Sequence, residues 1–88
     1  MSPLHDACRD GDTERVKQLL DGDGSAQVDE KDEDGWTALE RASCGGHTEV
    51  VRLLLDKGAL LDEKNKSGST ALMLASENGH TEVVRLLL

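Results

Sequence analysis

Oxygen-bearing side chains in residues 21–32 are spaced as they are in a calcium-binding loop. Positions 1, 3, 5, 7, 9 and 12 of such a loop fall on Asp21, Asp23, Ser25, Gln27, Asp29 and Asp32. Two features weigh against a calcium site: position 6 is Ala26 where the sharp turn requires glycine, and position 12 is the short Asp32 where a bidentate glutamate is usual. We therefore rank calcium below the interpretations that follow and predict no cofactor.

A thiol and an imidazole also lie close in sequence, at Cys44 and His47. That pair could supply a nucleophile and its base. Thirty-three residues later the histidine recurs as His80, but Glu77 stands in place of the cysteine. Because the histidine recurs without the thiol, it belongs to a repeated structural pattern. The sequence predicts no catalytic residue, no metal ligand and no enzymatic activity.

Composition narrows the class of partner. The net charge is -8, with 11 acids against 4 bases in residues 1–36, so phosphate backbones and anionic membrane surfaces would be repelled. Cys8 and Cys44 are too few for the disulfide framework of a small secreted domain. No apolar run approaches the roughly 20 residues of a membrane span. We expect a cytoplasmic chain that binds neither nucleic acid nor membrane.

An internal repeat organises the whole chain. The ten residues 46–55 recur unchanged at 79–88, a shift of 33, and Thr37-Ala38-Leu39 recurs as Thr70-Ala71-Leu72. Ser2-Pro3-Leu4 aligns with the same motif at a shift of 35, so the first unit carries two extra residues within 22–27. The repeat predicts one domain over 1–88, with units at about 2–36, 37–69 and 70–88.

Each unit has the pattern of two short helices. Ser2, Thr37 and Thr70 are suited to cap the first helix, and Gly11, Gly46 and Gly79 to end it. The second helix has apolar residues three and four apart, which form one stripe. The polar stretches 28–36 and 61–69, each with a late glycine, predict hairpin-like turns between helix pairs. The predicted fold is all-α.

The period and the motif Ser2-Pro3-Leu4-His5-Asp6-Ala7 resemble those of the ankyrin repeat, which has a 33-residue period and a Thr-Pro-Leu-His-x-Ala stretch. The resemblance implies a solenoid of three stacked antiparallel helix pairs joined by β-hairpin-like turns, which binds another protein through a concave groove. Glu40 and Met73 replace the motif's histidine, which implies weaker polar ties between units. The chain stops at Leu86-Leu87-Leu88 without a polar closing unit over the last apolar stripe. We therefore expect either a C-terminally truncated fragment of a longer array or self-association through the last unit.

Candidate partner-binding residues are those that the resemblance places at the hairpin tips and on the groove side of the first helices. They are Arg9, Asp10, Lys31, Glu33, Asp34, Trp36, Cys44, Gly45, Lys64, Lys66, Ser67, Ser69, Glu77 and Asn78. Trp36 is foremost, because its counterpart is Ser69 and the repeat therefore does not require an indole there. Its ring could instead lie across the neighbouring hairpin. The acidic residues between 29 and 34 favour a basic partner. One unit later, Lys64 and Lys66 make the local charge positive.

Two alternatives to a free-standing binding module stay open. The chain could be a regulatory or targeting segment of a larger enzyme, channel or transcription regulator. The identical ten-residue segments are also typical of a designed, consensus-like repeat scaffold.

Overall fold

A computed structural model describes residues 2–22 and 27–88, and within them six helices follow one another without a strand. The helices are α1 (Pro3–Asp10), α2 (Thr13–Asp21), α3 (Ala38–Gly45), α4 (Thr48–Asp56), α5 (Ala71–Glu77) and α6 (Thr81–Leu87). Each consecutive pair forms one unit. The predicted all-α stack of three helix pairs is confirmed. The predicted two-residue insertion falls largely on residues outside those described.

The first helices begin at the predicted caps. The Thr37 hydroxyl accepts from the Glu40 amide at 3.2 Å, and the Glu40 carboxylate accepts from the Thr37 amide at 2.7 Å, which completes a capping box. Thr70 accepts from the Met73 amide at 3.3 Å. Ser2 occupies the same position, but its hydroxyl bonds to no helix amide, so the prediction of a side-chain cap there is wrong. Pro3 at the first helical position instead pre-sets the backbone.

The helices pack in two rows. In one row α1 contacts α3 and α3 contacts α5, and in the other α2 contacts α4 and α4 contacts α6. Val50, Val51 and Leu54 of the predicted apolar stripe are buried between the rows together with Leu39, and Leu55 of the stripe is half-buried. Cys8 is fully buried among them, and this burial raises the pKa of its thiol to about 12. Cys8 is therefore a packing residue of the core. None of the described helices has both the length and the apolar character needed to cross a membrane.

Histidines tie neighbouring units together at the loops before the second helices. His47 Nε2 lies 2.9 Å from the carbonyl oxygen of Arg9, and His80 Nε2 lies 2.9 Å from that of Cys44. Because a carbonyl can only accept, each Nε2 donates. The prediction that His47 and His80 belong to the repeat is confirmed. Units 2 and 3 have Glu40 and Met73 in place of the motif's histidine, and the bonds from His47 and His80 provide a polar tie that does not depend on it.

The two stretches between units form hairpin-like turns with the same construction, over residues 32–36 and 65–69. The Asp32 amide donates to the Trp36 carbonyl at 2.9 Å, and the Asp32 carboxylate accepts from the Trp36 amide at 3.0 Å. Asn65 does the same one period later with Ser69. A side-chain oxygen that folds back on the following amides fixes a tight turn. The predicted hairpin-like turns are confirmed.

Candidate functional site

The candidate binding residues lie in two bands on one side of the stack. We call this side the groove surface; it consists of α1, α3, α5 and the two hairpin turns. The hairpin band comprises Lys31, Glu33, Asp34, Trp36, Lys64, Lys66, Ser67 and Ser69. The helix-end band comprises Arg9, Asp10, Cys44, Gly45, Glu77 and Asn78. Because the first helices are 7 or 8 residues long, the bands lie about 12 Å apart along them.

Trp36 stacks with Arg41, which is not among the candidate binding residues. The guanidinium carbon of Arg41 lies 4.3 Å from the centroid of the indole ring. Arg41 Nε donates to Asp32 Oδ2 at 2.7 Å, and Arg41 Nη2 donates to Asp34 Oδ2 at 3.0 Å. We call the Trp36 indole and the Arg41 guanidinium, together with the Asp32 and Asp34 carboxylates, the Trp36/Arg41 stack. It fixes Trp36 within its own hairpin turn, with the side chain half-buried.

The stack also fixes the ionisation of its members. Burial alone raises the pKa of the Asp32 carboxyl, but hydrogen bonds from the Trp36 and Asp34 amides and from Arg41 outweigh it, so the pKa lies below its ordinary value. Burial alone would lower the pKa of Arg41. Its hydrogen bonds to the Asp32 and Asp34 carboxylates outweigh burial, so the pKa lies above its ordinary value. At neutral pH Asp32 and Arg41 are therefore both ionised, and each has a fixed partner.

Beside the stack, the groove surface contains a cleft of about 140 Å³. Its lining comes from α1, α3 and the first hairpin turn and comprises Ser2, His5, Asp6, Arg9, Asp32, Glu33, Asp34 and Arg41. Four of these side chains are acidic and two are arginines. The cleft runs from the hairpin band to Arg9 in the helix-end band, and so connects the two.

In the helix-end band, neighbouring units contribute adjacent side chains. Asn78 Nδ2 donates to the Leu74 carbonyl at 2.7 Å and lies 3.7 Å from Cys44 Sγ. Arg9 lies 3.6 Å from Asp6 and 3.3 Å from Asp10. These exposed ion pairs are weak, about 0.2 to 1 kcal/mol each, so a partner could displace them at little cost.

The lysines of the hairpin band brace the two turns against each other. Lys31 Nζ donates to the Lys64 carbonyl at 3.0 Å and lies 3.6 Å from a Glu63 carboxylate oxygen. Lys66 Nζ donates to the Glu33 carbonyl at 2.8 Å. Lys31 and Lys66 therefore have structural contacts of their own, and a loss of binding after their substitution would not by itself identify a partner contact.

Arg41 is the residue that sequence reasoning missed. Its counterpart one unit later is Leu74, a difference as marked as that between Trp36 and Ser69. Comparison of units at every position, rather than at the expected groove positions, would have found it. Its contact with Trp36 has no helical spacing, because Trp36 precedes the capped start of α3.

The described part of the calcium-like loop has its oxygens engaged elsewhere. Asp21 lies 2.8 Å from Lys57 Nζ, Asp29 accepts from the Leu60 amide at 2.8 Å, and Asp32 is part of the stack. Asp23 and Ser25 lie outside the described residues. Within residues 2–22 and 27–88, no group of three or more histidine, cysteine or acidic side chains is placed to hold a metal ion.

Stacked helix pairs with hairpin turns on one side define a helical solenoid of the repeat-protein class. The family profile of ankyrin repeats, in three copies, matches residues 4–88. The chain belongs to the ankyrin-repeat family. The fold agrees: a chain in the solved complex of the Bdellovibrio bacteriovorus predatory endopeptidase Bd0816 with immunity protein Bd3460 matches with a TM-score of 0.93 and 34% identity. That match covers 99% of this chain and 45% of the other.

Similar curated proteins are much longer than this chain. The human transient receptor potential cation channel subfamily A member 1 is 43% identical over 56 residues, which are 64% of this chain and 5% of the channel. Human M-phase phosphoprotein 8 is 38% identical over 56 residues, 64% of this chain and 6% of that protein. The chain thus spans a small part of the length of these relatives.

Proposed function

We propose that this chain is a non-enzymatic module that binds another protein through its groove surface, with the Trp36/Arg41 stack at the centre of the contact. The observation that carries the proposal is that this stack has no counterpart in the second hairpin turn and α5. At the equivalent places the second hairpin turn and α5 have Ser69, Ser67 and Leu74, and they form the same turn and helix. The fold therefore does not depend on the stack.

The chemistry of the stack suits a protein partner. Tryptophan and arginine are enriched among residues that contribute most to protein interfaces. Here both are half-buried and held by hydrogen bonds, so little side-chain freedom remains to be lost on binding. The adjacent cleft gives a partner side chain a place to enter, and its lining carries a net charge of -2, from four acids and two arginines. A basic or amide-bearing segment is the expected partner chemistry.

The comparisons support the same function at a coarser level. Ankyrin repeats are generally protein-interaction modules, and the solved neighbour is part of a protein complex. Because the matched segment is a small part of these relatives, the alternative function is a regulatory or targeting segment of a larger protein. That alternative uses the same surface.

A quantitative affinity capture tests the proposal. The bait is the chain, compared with Trp36→Ala and with Arg41→Leu, which installs the residue of the third unit. Arg52→Ala is the matched control, because Arg52 lies exposed on α4 and its ion pair among the described residues is with Glu49. We expect a specific protein to be retained by the wild type and the control and reduced at least tenfold by both groove variants. Equal retention by all four folded baits would overturn the groove surface as the binding site.

A further inference from the structure

The cleft of the groove surface lies between α1, α3 and the first hairpin turn, and the repeat provides the same positions one unit later for comparison. The acidic positions of the cleft carry other residues there: Asp6, Asp32, Glu33 and Asp34 correspond to Arg41, Asn65, Lys66 and Ser67. The second hairpin turn and α5 form without these acids. The acidic lining is therefore a property of this cleft and not a requirement of the fold.

On the hairpin side of the cleft, two carboxylates keep unused acceptor capacity. Asp32 is not one of them, because one of its oxygens accepts from the Asp34 and Trp36 amides and the other accepts from Arg41. Asp34 accepts from Arg41 through Oδ2, and its Oδ1 has no hydrogen bond among the described residues. Glu33 contributes its main-chain carbonyl to the brace between the hairpin turns, whereas its exposed carboxylate has no partner in the described part of the chain.

The α1 side adds a carboxylate and an imidazole acceptor. Asp6 lies 3.6 Å from Arg9, which also lies 3.3 Å from Asp10 and so stays paired when Asp6 takes another cation. His5 is only 4% exposed, and its Nε2 donates to the Glu30 carbonyl at 2.9 Å, so Nδ1 carries the lone pair. This buried Nδ1 has no donor among the described residues, which is a costly state that a donor-bearing group in the cleft would relieve.

The arrangement of these acceptors favours an ammonium group. They belong to two different elements, α1 and the hairpin turn, and the three donors of an ammonium diverge to reach separate acceptors. A guanidinium instead matches one carboxylate with two parallel bonds or stacks on an aromatic ring, and the Trp36 ring already has the Arg41 guanidinium 4.3 Å from its centroid. An uncharged amide does not offset the net charge of the lining, which has four acids and two arginines.

The size of the cleft sets the size of the occupant. Its volume is about 140 Å³. A cavity of about 150 Å³ holds a molecule of the size of benzene. The cleft therefore has room for the end of one side chain and not for a stretch of peptide.

We propose that this cleft binds a primary ammonium group, supplied by a lysine side chain of the protein partner, with Asp6, Glu33 and Asp34 as its carboxylate contacts. The inference rests on the proposed function and narrows the partner chemistry from a basic or amide-bearing segment to a lysine. Acetylation of that lysine removes its charge and so releases it from the cleft.

The probe that tests the site is Nα-acetyl-lysine amide, titrated into the isotope-labelled chain at constant ionic strength and followed by amide chemical shifts. Nα-acetyl-arginine amide has the same charge, and diacetylated lysine amide has none. Because a few exposed ion pairs are weak, we expect half-saturation on the order of 10 mM, with shifts centred on residues 5–9 and 32–34. The arginine probe should bind about threefold more weakly, and the diacetylated probe should give no saturable shift.

Glu33→Gln is the sharpest variant, because the fold uses the main-chain carbonyl of this residue and not its carboxylate. It should raise the half-saturation concentration of the lysine probe about threefold, and Asp6→Asn should have a similar effect. Glu49→Gln, the same loss of charge at an exposed position of α4, is the matched control and should leave the titration unchanged. Unchanged shifts outside the cleft show that each variant is folded.

Equal half-saturation by the lysine and arginine probes would overturn the selection of an ammonium. The site itself is overturned if the lysine probe gives no saturable shift up to about 100 mM, or if Glu33→Gln binds it as the wild type does. These outcomes differ from a failure of the proposed function, which appears as equal retention of a captured protein by the wild type and Trp36→Ala.

Discussion

The Asp32 carboxylate holds both the first hairpin turn and the guanidinium that stacks on Trp36. Because its pKa is lower in the folded protein than in the unfolded chain, its charge stabilises the fold above the ordinary aspartate pKa of about 3.9. That contribution is lost as the pH falls through the folded-state pKa. Asn65 shows that an amide at this position can still make the turn.

Asp32→Asn should therefore lower the free energy of unfolding at pH 7 by about 1 kcal/mol, since the turn is kept and the bond to Arg41 is lost. The difference from the wild type should shrink from pH 7 to pH 3, because Asp32 takes up its proton as the pH approaches its lowered folded-state pKa. Urea unfolding at both pH values measures it, with the exposed Asp62→Asn as control. A difference that is the same at pH 7 and pH 3 would show that the charge is not responsible.

Glu40 makes the free energy of unfolding depend on pH in the opposite direction from Asp32. Burial raises the pKa of its carboxyl, only partly offset by the bonds to Thr37 and by the charge of Lys31, and Oε2 has no hydrogen-bond partner among the described residues. A raised folded-state pKa means that the charged form costs stability at neutral pH. Stability is regained as the pH falls through that pKa toward the ordinary glutamate value of about 4.3.

Glu40→Gln keeps an oxygen for the Thr37 amide and removes the buried charge. We expect the free energy of unfolding at pH 7 to rise by about 1 kcal/mol, and the gain to shrink toward pH 4 as the wild-type carboxyl takes up its proton. Thermal unfolding across this range is the measurement. A loss of stability at pH 7 would mean that the amide nitrogen finds a worse environment than the charge it replaces.

At the scale of elements, single hydrogen bonds from histidine join one helix pair to the next. Repeat stability is then a sum of unit terms and nearest-neighbour terms. His80→Ala removes the bond to Cys44 and the packing on Gly46. It should cost about 1 to 2 kcal/mol and let α5 and α6 open before the rest.

Amide hydrogen exchange distinguishes this from a general loss of stability. His80→Ala should speed exchange mainly in residues 71–87, and the matched His47→Ala mainly in residues 3–21. If both variants speed exchange in the same amides, the stack opens as one cooperative body and the nearest-neighbour account is wrong.

The elements were more predictable than their contacts. The period of 33, the capping threonines and the αL glycines gave helix boundaries, because these signals act within a few residues of chain. Ser2 failed as a side-chain cap, since the identity of a residue does not fix its rotamer. The lysine braces between hairpin turns join residues 33 apart and follow only from the stacking of units.

At the scale of the whole molecule, the stack has surfaces with different chemistry. The groove surface carries the Trp36/Arg41 stack and an acidic cleft, whereas the outer side carries exposed i,i+3 ion pairs such as Glu49 with Arg52. The contrast of Trp36 with Ser69 marks Trp36 as a candidate from the sequence alone. It did not predict Arg41, because the stack forms between a hairpin turn and a helix and not along one helix.

Site-specific photo-crosslinking tests most directly the claim that the groove surface is where a protein partner binds. A benzophenone amino acid is placed at Glu77 in the helix-end band or, as the matched position, at Arg52 on the outer side, both exposed. The captured partner should crosslink from Glu77, and excess unlabelled chain should suppress the adduct. Equal adducts from both positions, or an adduct from Arg52 alone, would contradict the claim.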